Sequence, residues 1–190
     1  MSLDLPGFAD PVADAQATFR AVLDAMARPG RLHLLGDKVQ PPPLSGATAA
    51  LLLTLVDADT PLWLAPSFAA ARDWIVFHTG APLTDDPSRA AFVVADTLPD
   101  LSILSAGTDE APETSATVIL QIAGFGVGPS FRLSGPGLRV PHTLQINGLP
   151  ADFATRWADN HALYPRGLDL ILTAGPTLVA LPRSVAVESV

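Results

Sequence analysis

The most regular pattern of apolar positions lies near the start of the chain. Phe19, Val22, Leu23 and Met26 recur at i, i+3, i+4 and i+7, the spacing of one face of an α-helix. Asp10 stands where a helix cap belongs, Pro11 suits the first helical position, and Pro29-Gly30 end the run. On the outer face Gln16–Arg20 and Asp24–Arg28 sit one turn apart. A short strand is expected over Arg31 to Leu35. Pro41-Pro42-Pro43 make a stiff connector, because each ring fixes φ. Ser45 then opens a helix to Val56 that is apolar nearly all round, a pattern that belongs in an interior or at an interface.

Beyond Val56, short apolar runs alternate with breaks. Pro61–Ala65, Trp74–His78 and Ala91–Ala95 read as strands, with Asp57, Asp59, Asp85, Asp86 and Pro87 between them. Thr117–Ala123 is a stronger strand, and Ser130–Ser134 is its expected partner. Ala151–Leu163 reads as a helix with Ala154, Trp157, Ala158 and His161 on one face. Leu168–Ala174, a Gly175-Pro176 turn and Thr177–Leu181 form a hairpin. Helices interspersed with strands predict an α/β fold, a mixed β-sheet flanked by helices, and the length fits one domain over residues 1–190.

Composition adds a partner to this picture. Hydrophobic residues make up 48% and charged residues 16%, against roughly 25% charged in ordinary soluble domains. So apolar a chain either buries much of itself or keeps apolar surface for a partner, and the partner is the reading adopted. The net charge is −8, from 19 acids and 11 bases, and Lys38 is the one lysine. A polyphosphate backbone is repelled by that balance, so no nucleic-acid partner is expected. A small anion held by clustered arginines remains compatible. The absence of cysteine excludes disulfides and thiolate chemistry in this chain. Met1 to Asp10 lacks the basic and apolar regions of a signal peptide. Ala47–Val56 falls short of the roughly 20 residues that span a bilayer. The expectation is a cytoplasmic protein with no membrane partner.

Few residues suggest chemistry. Gly124-x-Gly126-x-Gly128 follows a strand, but Pro129 and an extended Ser-Phe-Arg-Leu come next, where a nucleotide loop requires a helix. A glycine-rich strand connection is the reading adopted. His33, His78, His142 and His161 have no helical metal-site spacing, so no metal is expected. His161 reads as a hydrogen-bonded edge histidine, and His78 as a strand-end residue beside Thr79-Gly80. The acid pairs Asp57/Asp59, Asp85/Asp86 and Asp109/Glu110 read as turn and cap residues. No Gly-x-Ser-x-Gly elbow and no Gly-Lys-Ser/Thr occur. No self-contained active site is visible.

Five blocks in order carry a resemblance. They are Asp14-Ala15-Gln16-x-x-Phe19-Arg20-x-x-Leu23-x-Ala25-Met26-x-x-Pro29-Gly30, then Leu52-Leu53-Thr54-Leu55-x-Asp57-x-Asp59-Thr60-Pro61-x-Trp63-Leu64, then Phe77-His78-Thr79-x-Ala81-Pro82-Leu83. Gly107-Thr108-x-x-Ala111-Pro112-Glu113, running on to Ala116-Thr117-x-Ile119-Leu120-Gln121, is the fourth. Pro165-x-Gly167-x-Asp169-Leu170-Ile171-Leu172-Thr173 with Pro182-Arg183 completes the set. Together they resemble the H-subunit (PhnH) family of the bacterial carbon–phosphorus lyase core complex, most weakly over Arg139–Leu163.

The resemblance implies a fold similar to pyridoxal-phosphate-dependent transferases without that cofactor, and a homodimer joined to other carbon–phosphorus lyase subunits. It implies a part in alkylphosphonate catabolism, where alkylphosphonate displaces adenine from ATP to give a ribose 1-alkylphosphonate 5-triphosphate. ATP and magnesium would serve the whole complex, and no cofactor is expected on this chain. The family supplies no firm catalytic residue. Asp59, Thr60, His78, Thr79, Thr108, Glu113, Asp169 and Arg183 are matched polar positions, and stand as candidate ligand or interface residues. Their structural alternative is turn formation for Asp59, Thr60 and Thr79, and an ion pair bracketing the last hairpin for Asp169 and Arg183. A non-catalytic scaffold and a stand-alone pyridoxal-phosphate enzyme are the competing functions.

Overall fold

The computed structural model describes residues 6–35 and 39–190. Lys38 and the first half of Met1–Asp10 lie outside the described residues. A six-stranded sheet carries the fold, built from β1 (His33–Leu34), β2 (Leu62–Leu64), β3 (Phe92–Ala95), β4 (Thr117–Gln121), β7 (Asp169–Ala174) and β8 (Thr177–Leu181). Its order is β1-β8-β7-β4-β3-β2, with β2, β3, β4 and β7 parallel and β8 and β1 joined antiparallel. A second sheet of three antiparallel strands, in the order β6-β5-β9, is made by β5 (Gly124–Ser134), β6 (His142–Asn147) and β9 (Ala186–Ser189). The α/β class with a mixed sheet is as expected.

Helix α1 (Pro11–Ala27) begins as its sequence requires, with the Asp10 carboxylate accepting the Ala13 N–H at 3.0 Å. Its buried face is not the expected stripe. Asp14, Thr18, Val22 and Ala25 point inward, while Phe19 and Leu23 are exposed. The rotation presents small side chains to α2 (Gly46–Leu55), whose Ala47, Ala49 and Ala50 are themselves buried. Close approach of two helices favours such small contacts over bulky ones. Helix α2 is interior through Leu52, so the segment expected to be able to serve an interface is covered by its own chain.

Trp74–His78, expected as a strand, is the body of helix α3 (Arg72–Thr79). Trp74 and Ile75 are buried, Val76 and Phe77 are exposed, and the His78 ring lies 4.8 Å from Trp74 one turn earlier. Five aromatic and β-branched residues in a row mimic a strand, but their burial follows the helical period. Gly80, at φ +71°, closes the helix in the left-handed conformation, and its N–H donates to Val76 O.

Ser130–Ser134 also departs from expectation. It pairs with β6 and β9 in the second sheet and not with β4. The glycine triplet starts β5 and ends in a register shift between Phe125 and Ser130. Gly128, at φ +90°, lies so close that a side chain there would come within 3.1 Å of the Asn147 backbone. No helix follows, so the strand-connection reading holds and the nucleotide-loop reading fails. Helix α4 (Phe153–His161) buries Phe153, Trp157 and Asn160, leaving Ala158 exposed and Ala154 and His161 half-buried.

Candidate functional site

Thr60, Thr108, Glu113 and Asp169 all precede or begin parallel strands, and Arg183 follows the antiparallel β8. They therefore share the edge at which the parallel strands start. In open α/β sheets, ligands collect outside the opposite, carboxyl ends. The candidates fall into two clusters, with β3 between the strands they serve.

The first cluster joins the loop before β2 to the end of α3. Thr60 Oγ1 donates to the Asp57 carboxylate, which also accepts the Asp59 N–H at 3.0 Å. These bonds hold the Asp57 carboxyl below the usual range, the Thr60 hydroxyl being the larger cause. Thr79 Oγ1 donates to Ile75 O at 2.7 Å and accepts the Ala81 N–H at 3.1 Å, which fixes the helix end. A side chain at Gly80 would come within 3.6 Å of Ala58, so the two loops touch. His78 is half-buried under Gly7, where an added side chain would lie 2.9 Å from Nδ1. The ring packs the N-terminal segment onto α3 from a helical position, where a strand-end loop was expected.

The second cluster centres on an ion pair. Arg183 Nη2 lies 2.7 Å from Asp169 Oδ2, Nε donates to Oδ1 at 3.2 Å, and Nη1 donates to Pro112 O at 2.7 Å. Both side chains are largely buried. Thr108 closes a turn, exchanging bonds with Ala111. Glu113 is the middle residue of a 3-10 turn, Pro112–Thr114, and is exposed. The ion pair thus pins the Thr108–Thr114 loop to the start of β7 and the end of β8, as the structural alternative anticipates.

The carboxyl edge holds a polar network that the sequence did not single out. Gln121 Oε1 accepts the Ser45 N–H at 2.7 Å and the Thr48 hydroxyl at 3.1 Å, while Nε2 donates to Pro43 O at 3.1 Å. Thr48 has one proton, so donation to Gln121 makes it acceptor toward Thr173 at 2.8 Å. The two threonines are buried. The N-terminus of α2, the usual ligand position, is satisfied by its own chain. A polar Gln at the end of an apolar strand was the available signal.

A cavity of about 510 Å³ lies between the Leu101–Ile103 turn and α4, and no candidate residue lines it. Its Asp100 is bonded to Ser102, Arg156 to Asp152, and Asn160 to Leu168. Asp86 and Asp100 cap 3-10 turns, and Ser88 and Ser102 respectively hold their carboxyls below the usual range. His161 Nδ1 contacts Arg183 O at 2.8 Å, the edge role expected of it. Among the described residues, no group of three or more His, Asp or Glu is arranged to hold a metal.

What stands is an α/β protein whose conspicuous polar residues brace loops, with apolar side chains left on the outside of two helices. The chain matches the bacterial phosphonate metabolism protein (PhnH) family over residues 6–188, including the stretch Arg139–Leu163 where the motifs are weakest. It is 40% identical over 187 residues to alpha-D-ribose 1-methylphosphonate 5-triphosphate synthase subunit PhnH of Rhizobium meliloti (strain 1021), covering 95% of this chain and 94% of that protein. It is 33% identical over 178 residues to a protein of Stutzerimonas stutzeri provisionally named C-P lyase subunit protein HtxG, covering 91% and 85%. The chain belongs to the PhnH family.

Proposed function

We propose that this chain is a subunit of the carbon–phosphorus lyase core complex and assists transfer of alkylphosphonate to the ribose of ATP, with release of adenine. The match along nearly the whole length of a synthase subunit carries this reading. The reaction breaks the ribose–adenine bond, forms a bond from a phosphonate oxygen to the same sugar carbon, and delivers a proton to the departing base. It needs a cradle for the triphosphate and stabilisation of positive charge on the sugar. Arg183 is committed to Asp169, and Asp57 to Thr60 and Asp59. That commitment supports a site completed by companion subunits, and equally a scaffold role within the assembly. ATP and magnesium belong to the assembly, in the cytoplasm, and this chain takes no cofactor. From the family resemblance we also infer a fold similar to pyridoxal-phosphate-dependent transferases, without that cofactor.

The isolated chain, given ATP, magnesium and methylphosphonate, is expected to release no adenine. Adding the companion subunits restores release. Adenine formed by the chain alone, at a rate abolished by Asp59→Ala or His78→Ala, would make this chain the catalyst and defeat the subunit reading.

We further propose a homodimer that leaves apolar surface for companions. Val12, Phe19 and Leu23 on α1 and Val76 and Phe77 on α3 are exposed, and both helices pack on α2. They replace α2 as the partner surface. Specific interfaces bury about 1,200–2,000 Å² in total. Sedimentation at micromolar concentration is expected to give a dimer, and a clean monomer counts against it.

A further inference from the structure

The two edges of the main sheet are finished differently. At the β2 edge the chain covers itself, with Leu62 N–H donating to Pro82 O at 2.9 Å and Thr84 N–H to Leu62 O at 3.0 Å. At the β1 edge the described residues provide no such cover. Register fixes which backbone groups face outward. Ala174 pairs with Thr177 across the Gly175-Pro176 turn, so Leu178 is the residue of β8 that bonds toward β1, opposite His33. Leu35 N–H donates to Pro176 O at 2.8 Å, which gives the same phase. The N–H and C=O of Leu34, between them, therefore point away from the sheet.

The side chains at this edge match an extended ligand. Leu32 and Leu34 are 51% and 75% exposed and lie on one face. They border a groove of about 550 Å³ shared with Phe125, Ala174 and Thr177, and none of its lining residues is charged. On the other face, Arg28, Arg31 and His33 all converge on the single carboxylate of Asp24, Arg31 at 3.2 Å and His33 at 3.3 Å. Two guanidiniums against one carboxylate leave a net positive charge beside the strand, and burial followed by these arginines holds the His33 pKa down. The edges of the smaller sheet differ. Exposed His142, Thr143, Gln145 and Asn147 on β6 and Glu188 on β9 make them polar, as protected edges are.

We propose that β1 accepts an extended segment of a different polypeptide as a further strand, one that alternates apolar side chains toward Leu32 and Leu34 with acidic side chains toward Arg31. Strand addition draws affinity from main-chain bonds and specificity from alternate side chains. A second copy of β1 is disfavoured, because it brings two net-positive Arg28–Arg31–Asp24 groups together. The proposal rests on the reading of this chain as one subunit among others.

The test uses the full chain and a labelled synthetic peptide alternating valine with glutamate, followed by fluorescence anisotropy. Saturable binding is expected, with the Leu34 amide protected from hydrogen exchange. Leu34→Pro removes an outward N–H while sparing the bonds to β8, and is expected to weaken binding at least about tenfold. Leu34→Lys and Arg31→Ala, both at exposed side chains, are expected to weaken it comparably, and a valine–lysine peptide is not expected to bind. No binding, or binding unchanged in all three variants, overturns the proposal. Protection of Leu34 in the chain alone, rising with its concentration, assigns the edge to a second copy and also overturns it. In the reconstituted complex, adenine release with an unprotected Leu34 amide defeats this inference and leaves the subunit reading intact.

Discussion

Arg183→Ala is expected to destabilise the protein by roughly 3–5 kcal/mol, the cost of breaking a largely buried ion pair by removing one partner. Arg183 and Asp169 side chains are only 15% and 16% exposed. Without the guanidinium, the Asp169 carboxylate keeps one bond, from the residue-183 N–H at 2.8 Å, and Pro112 O loses its shorter bond and keeps the Ser115 N–H at 3.3 Å. The damage should spread locally. The Pro112 segment, the start of β7 and the end of β8 lose a common tie, so amides around Ser105–Ala116 should exchange faster. In a chain of this length each kcal/mol moves the melting temperature by about 2–4 °C. The double variant Arg183→Leu/Asp169→Leu should recover much of the loss, since an apolar pair of similar volume replaces a buried charge pair with little cost. A ligand role predicts the reverse pattern. Arg183→Ala would then leave thermal unfolding unchanged while abolishing adenine release by the reconstituted complex.

Much of the fold was legible because the local signals were redundant. At α1, the Asp10 cap, Pro11 and Pro29-Gly30 all agree on the ends, and the structure places them there. The rotation of that helix was not legible, since Phe19 and Leu23 are as apolar as Val22 and only the close approach of α2 selects the smaller face. The hairpin of β7 and β8 was readable from its turn. The second sheet was not, for two reasons. In β6 only Leu144 and Ile146 alternate with exposed neighbours, a period-two run too short to mark a strand against the glycine- and proline-rich segment before it. Strand β9 pairs Glu188 with Arg132, far earlier in the chain, a contact that no local pattern encodes. Among the candidate residues, spacing was enough to suggest an Asp169–Arg183 pair, but not its third partner, Pro112 O. Gln121 closes an apolar strand with no motif around it, and its role emerges only when α2 is laid across the carboxyl edge.

Trp157→Ala is expected to cost about 3–5 kcal/mol, the range for emptying a buried large aromatic site. The indole is 1% exposed, and its ring lies 6.0 Å from Phe153, which in turn meets Phe131 of β5 edge-on at 5.4 Å. Trp157 Nε1 donates to Val185 O at 2.8 Å, one residue before β9. One side chain therefore ties α4 to the strand that closes the smaller sheet, whose β5 and β9 segments come from distant parts of the chain. Trp157→Phe separates the two contributions. It keeps most of the packing but leaves Val185 O buried without its donor, at a cost of about 1–3 kcal/mol. Chemical denaturation should place the variants in the order wild type, Phe, Ala, and amide exchange should show β5 and β9 loosening together. Loss confined to β9, or a Trp157→Ala penalty below about 1 kcal/mol, would mean that the backbone ladder between β5 and β9 holds the smaller sheet without this anchor.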